Sequence, residues 1–165
     1  MRTAHLEVTP ATLEDIDVVL EILDEAAGWI IQRRLPSVWK PGEFPRQSFL
    51  DQIGRGEVFI GRVDGTPAGT FVLQWSDPFW WGETPPDAGY VHKFAIRPAY
   101  MGQNLGRYML RWAEARTKCS GKKLLRLNCI AADAGIRSYY EKEGFLRVKD
   151  VMGPKALATL YEKSL

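Results

Sequence analysis

Between Gly89 and Val151 the apolar residues switch repeatedly between the spacing of about two that marks a strand and the spacing of about 3.6 that marks a helix. Few folds accommodate that order. Gly89 to Arg97 reads as a strand stopped by Pro98, and Leu105, Met109, Leu110, Trp112 and Ala113 mark the inner face of a helix from about Leu105 to Lys118. Leu124 to Ile130 is the next strand, Gly135 to Glu143 a short helix closed by Gly144, and Phe145 to Val151 another strand. Strands separated by helices form sheets with at least some parallel pairing, so the expected class is α/β. The tail, Ala156 to Leu165, alternates weakly and reads as an added edge strand.

The N-terminal half completes the plan. A short strand, His5 to Val8, precedes an amphipathic helix over about residues 13–33, whose start is marked by Thr12 and Asp15 in capping-box spacing and whose inner face carries Leu13, Ile16, Leu20, Leu23, Ala27 and Ile30. Pro36, Pro41 and Gly42 make Leu35 to Phe44 a loop, and Arg46 to Ile53 a second, shorter helix. Glu57 to Val63 and Ala68 to Trp75 are rich in Val, Phe, Ile and Thr and flank Asp64-Gly65, which predicts an antiparallel hairpin. Ser76 to Ala88 combines Pro78, Pro85, Pro86 and Gly82 with Phe79, Trp80 and Trp81, and reads as an aromatic loop.

With 165 residues, the chain is expected to form one domain spanning residues 1–165. Its 22 basic and 20 acidic residues leave a formal charge of +2, too small to draw it onto nucleic acid or a membrane surface without specific contacts. The cluster Arg116, Lys118, Lys122, Lys123 and Arg126 reads as a solvated helix end, with contact to an acidic group such as a phosphate as the alternative. No apolar run approaches the ~18 residues of a membrane span and the N-terminus has no apolar leader core, so a cytoplasmic location is expected. Cys119 and Cys129 form no CxxC pair, and His5 and His92 lie far apart, so no metal site is expected.

The segment Met101-Gly102-Gln103-Asn104-Leu105-Gly106-Arg107 lies between a strand and a helix. Free N–H groups at a helix N-terminus, reached through small or positive-φ residues, attract phosphate or pyrophosphate. The same glycines would serve a plain tight turn. The segment is neither a Walker A loop nor a dinucleotide fingerprint, lacking the Lys-Ser/Thr of one and the third glycine of the other. Downstream, Asp133-Ala134-Gly135-Ile136-Arg137-Ser138-Tyr139-Tyr140-Glu141-Lys142-Glu143-Gly144-Phe145 follows a strand. This ordered pair of motifs resembles the GNAT superfamily of acyl-CoA-dependent N-acetyltransferases.

The resemblance implies a single α/β (α+β) domain with a mixed, mostly antiparallel central sheet flanked by helices. It implies that the strand Phe94, Ala95, Ile96 pairs its backbone with pantetheine and that Met101 to Arg107 holds the CoA pyrophosphate. Asp133 stands where the family often has Asn beside the pantetheine arm, Met101 replaces a usual Arg or Gln, and Asn104 replaces a usual glycine. Asn is the side chain most tolerant of the left-handed region, so the turn keeps its shape. Further implications are acetyl-CoA as co-substrate, Tyr140 as general acid to the CoA sulfur, a small-molecule or peptide amine as acceptor, and the homodimer common in the family.

An alkyl amine of ordinary pKa ~10.4 is over ~99.9% protonated at pH 7, which costs roughly 4–5 kcal/mol unless a base assists. Imidazole titrates in a range suited to that task, and His92 is the histidine near the proposed strand; Glu83 and Asp87 are alternatives. Trp29, Trp39, Phe79, Trp80 and Trp81 lie where such enzymes assemble the acceptor pocket, with Glu83 beside them. Cys129 has no activating neighbour in sequence and is read as a plain thiol. A non-catalytic acyl-CoA-binding or sensing module, and an unrelated nucleotide-binding domain using the 101–107 turn, remain as competing readings.

Overall fold

The computed structural model describes residues 1–165, with strands β1 (Leu6–Pro10), β2 (Val58–Val63), β3 (Thr66–Gln74), β4 (Ala88–Ile96), β5 (Leu124–Ile130), β6 (Leu146–Met152) and β7 (Leu157–Ser164). They form one sheet in the order β1-β2-β3-β4-β5-β7-β6. Only β4 and β5 run parallel; the other pairs are antiparallel, as the resemblance implied. The helices are α1 (Ile16–Gln32), α2 (Arg46–Gly54), α3 (Pro78–Trp81), α4 (Leu105–Cys119) and α5 (Ala134–Lys142).

Period-two patterning divides the core between the sheet's faces. On one face Phe59, Phe71, Leu73, Val91 and Leu127 pack with Leu105, Met109 and Leu110 of α4; on the other Val58, Ile60, Val72 and Ala95 pack with Val19, Ile22 and Leu23 of α1 and with Phe49 and Ile53 of α2. Burial of each Val, Leu, Ile, Phe or Met among them contributes on the order of 1.5–3 kcal/mol. The β2–β3 connection is the expected two-residue turn, with Asp64 at φ 49° and Gly65 at φ 82°.

Three sequence readings change. β7 is not an edge strand: it lies between β5 and β6, and Ala158, Thr159, Leu160 and Tyr161 are all buried. A strand covered on both faces loses the alternation that marks a half-exposed one, which is why its pattern looked weak. The aromatic loop contains a helical turn, α3, because Pro78 sits at its first position, where proline costs nothing, and Asp77 Oδ1 caps it by accepting from the Trp80 N–H at 3.4 Å. Leu13 lies in a 3₁₀ turn ahead of α1 and is 60% exposed rather than core. There Asp15 Oδ2 accepts from the Thr12 N–H at 2.8 Å. No helix is long and apolar enough to cross a membrane.

Candidate active site

The parallel pair that defines the fold also opens it. β4 and β5 are paired from Ala88↔Leu124 to Val91↔Leu127, and beyond that point the ladder ends while β5 continues along β7 to Ile130. The edge of β4 toward β5 is therefore free of sheet pairing from His92 to Ile96. At the fork, the register between β3 and β4 slips between Thr70↔Ala95 and Val72↔His92, so that Lys93 and Phe94 together oppose Phe71. Lys93 absorbs the extra residue at φ 51°, a left-handed conformation uncommon for a long side chain. Arg97 Nη1 fixes the exit of the strand by donating to Glu25 at 2.8 Å and Glu21 at 3.0 Å on α1.

β4 leads into α4 through the turn singled out in the sequence. Gly102 is at φ 78° and Asn104 at φ 65°, ψ 8°, so Asn104 does take the left-handed form in place of a glycine. No side chain caps the first turn of α4, which leaves its backbone donors at Leu105, Gly106 and Arg107 available to an anion. Gln103 Nε2 donates to the Ala99 carbonyl at 3.2 Å, Arg107 Nε donates to Glu143 at 3.0 Å, and Met101 is exposed. Gly106 is buried against α5: a Cβ built there would lie 2.5 Å from the Tyr139 hydroxyl.

α5 begins where β5 leaves the fork. Asp133 caps it, one carboxylate oxygen accepting from the N–H groups of Gly135 and Ile136 at 3.0 and 3.1 Å. That bond needs only an oxygen acceptor, so Asp serves as well as Asn. Tyr140 is 5% exposed, ringed by Tyr139, Phe145 and Tyr161 at centroid distances of 5.6, 6.0 and 6.3 Å. Burial, reinforced by Cys129 and Tyr139, holds its phenol protonated well above the ordinary tyrosine range. Burial likewise pushes the Cys129 thiol up to about 12, which makes it a poor nucleophile.

On the far side of the fork lies a cavity of about 400 Å³. Its aromatic walls are Trp39, Phe44, Phe79 and Trp80; Asn128 and Cys129 of β5 form its floor, and Lys40, Glu43, Lys93 and Lys155 are its charged lining. Trp80 reaches it by packing on Gly153 in the β6–β7 turn, where an added Cβ would meet the indole at 2.5 Å.

Of the acceptor-pocket residues expected from sequence, Trp39, Phe79 and Trp80 line this cavity, whereas Trp29, Trp81 and Glu83 do not. Trp29 lies under the Arg33 guanidinium at 4.8 Å, Trp81 lies against Tyr90 and under Arg126, and Glu83 is exposed beyond α3. Arg126 is thus not part of a solvated helix end: it is half-buried on β5 and donates to Glu162 at 2.7 Å and to the Tyr90 hydroxyl at 2.8 Å. His92 Nε2 sits 3.0 Å from Asp77 Oδ2 beside the cap of α3, without the geometry of a hydrogen bond, so the two pair by charge only when the imidazole is protonated. Sequence reasoning missed Lys93, Asn128 and Lys155 as site residues. None belongs to a motif, and only the fork and the β6–β7 turn bring them together.

Comparison with known proteins places this geometry in context. The model of the acetyltransferase (GNAT) family matches residues 24–145. The chain is 28% identical to an uncharacterized N-acetyltransferase, YesJ, of Bacillus subtilis, with 94% of this chain and 88% of the relative covered. It superposes with a TM-score of 0.81 on the crystal structure of a GNAT-family acetyltransferase of Listeria monocytogenes, at 23% identity over 97% of this chain and 95% of the other. With the PaiA N-acetyltransferase of Thermoplasma acidophilum, whose structure is a complex with coenzyme A, the TM-score is 0.76 at 19% identity, covering 98% and 99%.

Proposed function

This chain belongs to the acetyltransferase (GNAT) family, and from that premise we propose direct transfer of an acetyl group from acetyl-CoA to a primary amine, with Tyr140 as general acid. The observation that carries the reading is the fork itself: unpaired β4 backbone lies between the uncapped N-terminus of α4 and an aromatic-walled cavity. When bound, acetyl-CoA supplies the activated acyl thioester.

The chain's residues divide the remaining work. Backbone N–H groups over Met101 to Arg107 hold the pyrophosphate, and the free edge of Phe94, Ala95 and Ile96 holds pantetheine, with Asp133 fixing the start of α5 beside it. A backbone N–H between Phe94 and Ile96, at the bulge, polarises the thioester carbonyl. Tyr140 holds the proton destined for the leaving sulfur, and the burial that keeps its phenol neutral suits it to donate. His92, with Nε2 turned to Asp77, has Nδ1 left for the proton of the acceptor ammonium. No covalent enzyme intermediate is needed, and the inert Cys129 offers none.

Calorimetric titration with acetyl-CoA, CoA, ATP and NAD, followed by an amine screen for free thiol, tests the reading. Binding of both CoA species with ATP and NAD silent, and thiol release only with an amine, is expected. Binding without turnover of any amine would favour the sensing module, and no CoA binding would overturn the assignment. For the base, His92→Gln is expected to lower kcat/KM about tenfold or more and to flatten the acid limb of its pH profile. An unchanged profile would remove His92 from the base role.

A further inference from the structure

The charged lining of the acceptor cavity is unbalanced: Lys40, Lys93 and Lys155 face it with Glu43 as the one carboxylate. None of these four side chains belongs to an ion pair, although Arg97, Arg107, Arg126 and Lys163 elsewhere in the domain all do. All four side chains are exposed around the cavity, so its lining presents an excess of positive charge to whatever enters it. Lys93 is exposed, yet its ammonium is disfavoured first by the protein atoms crowded around it and then by the charge of Lys155, and it lies 5.8 Å from the centroid of the Trp39 ring.

A second feature points the same way. Nδ2 of Asn128, on the cavity floor, is buried with no hydrogen-bond partner. A buried amide donor without an acceptor costs on the order of 1–3 kcal/mol, a cost that an oxygen-bearing ligand removes if the atoms covering Nδ2 shift to admit it. Around these polar groups stand Trp39, Phe44, Phe79 and Trp80, with Trp39 and Phe44 edge to face at 5.6 Å, a surface suited to an apolar body.

We propose that the acceptor is an amine bearing an anionic oxygen group, a carboxylate or a phosphate, which Lys93 and Lys155 hold by charge and Asn128 by hydrogen bonding, while its apolar part lies against Trp39 and Trp80. This assignment rests on the acetyl-transfer reading above and narrows its acceptor. The same electrostatics disfavour polyamines, whose extra ammonium groups would enter beside three lysines and one glutamate.

The test uses the whole protein with saturating CoA, titrated with N-acetyl-phenylalanine, its carboxamide and its phosphonate counterpart, alongside turnover of phenylalanine, phenylalanine amide and spermidine with acetyl-CoA. The acid or the phosphonate is expected to bind at least about tenfold more tightly than the amide, and the tighter of the two identifies the anion. The same preference should appear in kcat/KM, with spermidine the poorest acceptor. Lys155→Met should shrink the preference to within about threefold, and Lys155→Glu should turn it toward the amide. If CoA binds and amines are acetylated, but the amide or spermidine equals or exceeds the acid, the proposal is overturned while the acetyl-transfer reading stands. If CoA does not bind, that reading fails first and the proposal falls with it.

Discussion

Tyr140→Phe is expected to lower turnover by at least about tenfold, with acetyl-CoA affinity within about twofold of the parent. The substitution removes one oxygen from a ring held by Tyr139, Phe145 and Tyr161, so the packing that places α5 is retained. No side chain shifts the phenol through a hydrogen bond: burial holds its proton, with Cys129 and Tyr139 adding to the effect. The hydroxyls of Tyr161 and Tyr90, by contrast, are committed to Glu141 at 2.7 Å and to Thr84 at 2.9 Å. Loss of a positioned general acid costs about 10²–10⁴ in rate where proton transfer limits the reaction, and less where product release does. A fall in kcat with little change in binding is what a group acting in the transition state produces. Unchanged kcat removes Tyr140 from the acid role, and a parallel fall in CoA affinity and thermal stability makes it a packing residue.

Tyr140 can be proposed from sequence because the stretch from Asp133 to Glu143 carries a contiguous motif, and the same holds for the turn at Met101 to Arg107. Local signals of this kind survive into the structure: the Asp64-Gly65 turn, Asn104 in the left-handed region and the Asp133 cap are each a short-range bargain between one side chain and its own backbone. What sequence hides is assembly across distance. Trp29 and Trp39 look equally good as pocket aromatics, yet α1 turns the first toward Arg33 while the loop before α2 delivers the second to Lys93. Lys93 itself reads as an ordinary strand residue, because a bulge is created by a register slip against β3, and no property of Lys announces it. β7 was misplaced for a related reason. Burial on both faces erases the alternation from which strand position is judged, and its place between β5 and β6 is decided by pairing partners far away in the chain.

Gly106 yields the other large effect. A glycine in this turn is commonly understood as room for a phosphate, but here the missing side chain is also room for a neighbour: a Cβ would stand 2.5 Å from the Tyr139 hydroxyl oxygen and 3.2 Å from Ile96 Cδ1. Neither can yield easily, since Tyr139 is stacked edge to face beside Tyr140 and Ile96 ends the strand proposed to carry pantetheine. Gly106→Val is therefore expected to abolish measurable CoA binding, and Gly106→Ala to weaken it about tenfold with a loss of roughly 1–3 kcal/mol of stability from overpacking. Tyr139→Phe removes the atom of closest contact and leaves the ring carbon beneath it 3.5 Å from the new methyl, an ordinary contact. The pair Gly106→Ala with Tyr139→Phe should thus recover most of the stability and most of the CoA affinity, leaving a residue of both from Ile96. Calorimetry and thermal unfolding of the two single variants and the double variant form the cycle that measures this coupling. A double variant no better than Gly106→Ala would show that the hydroxyl is not what the methyl displaces. Full CoA affinity in a folded Gly106→Val would mean that the first turn of α4 does not receive the pyrophosphate, because a side chain there must move either α5 or the end of β4 against it.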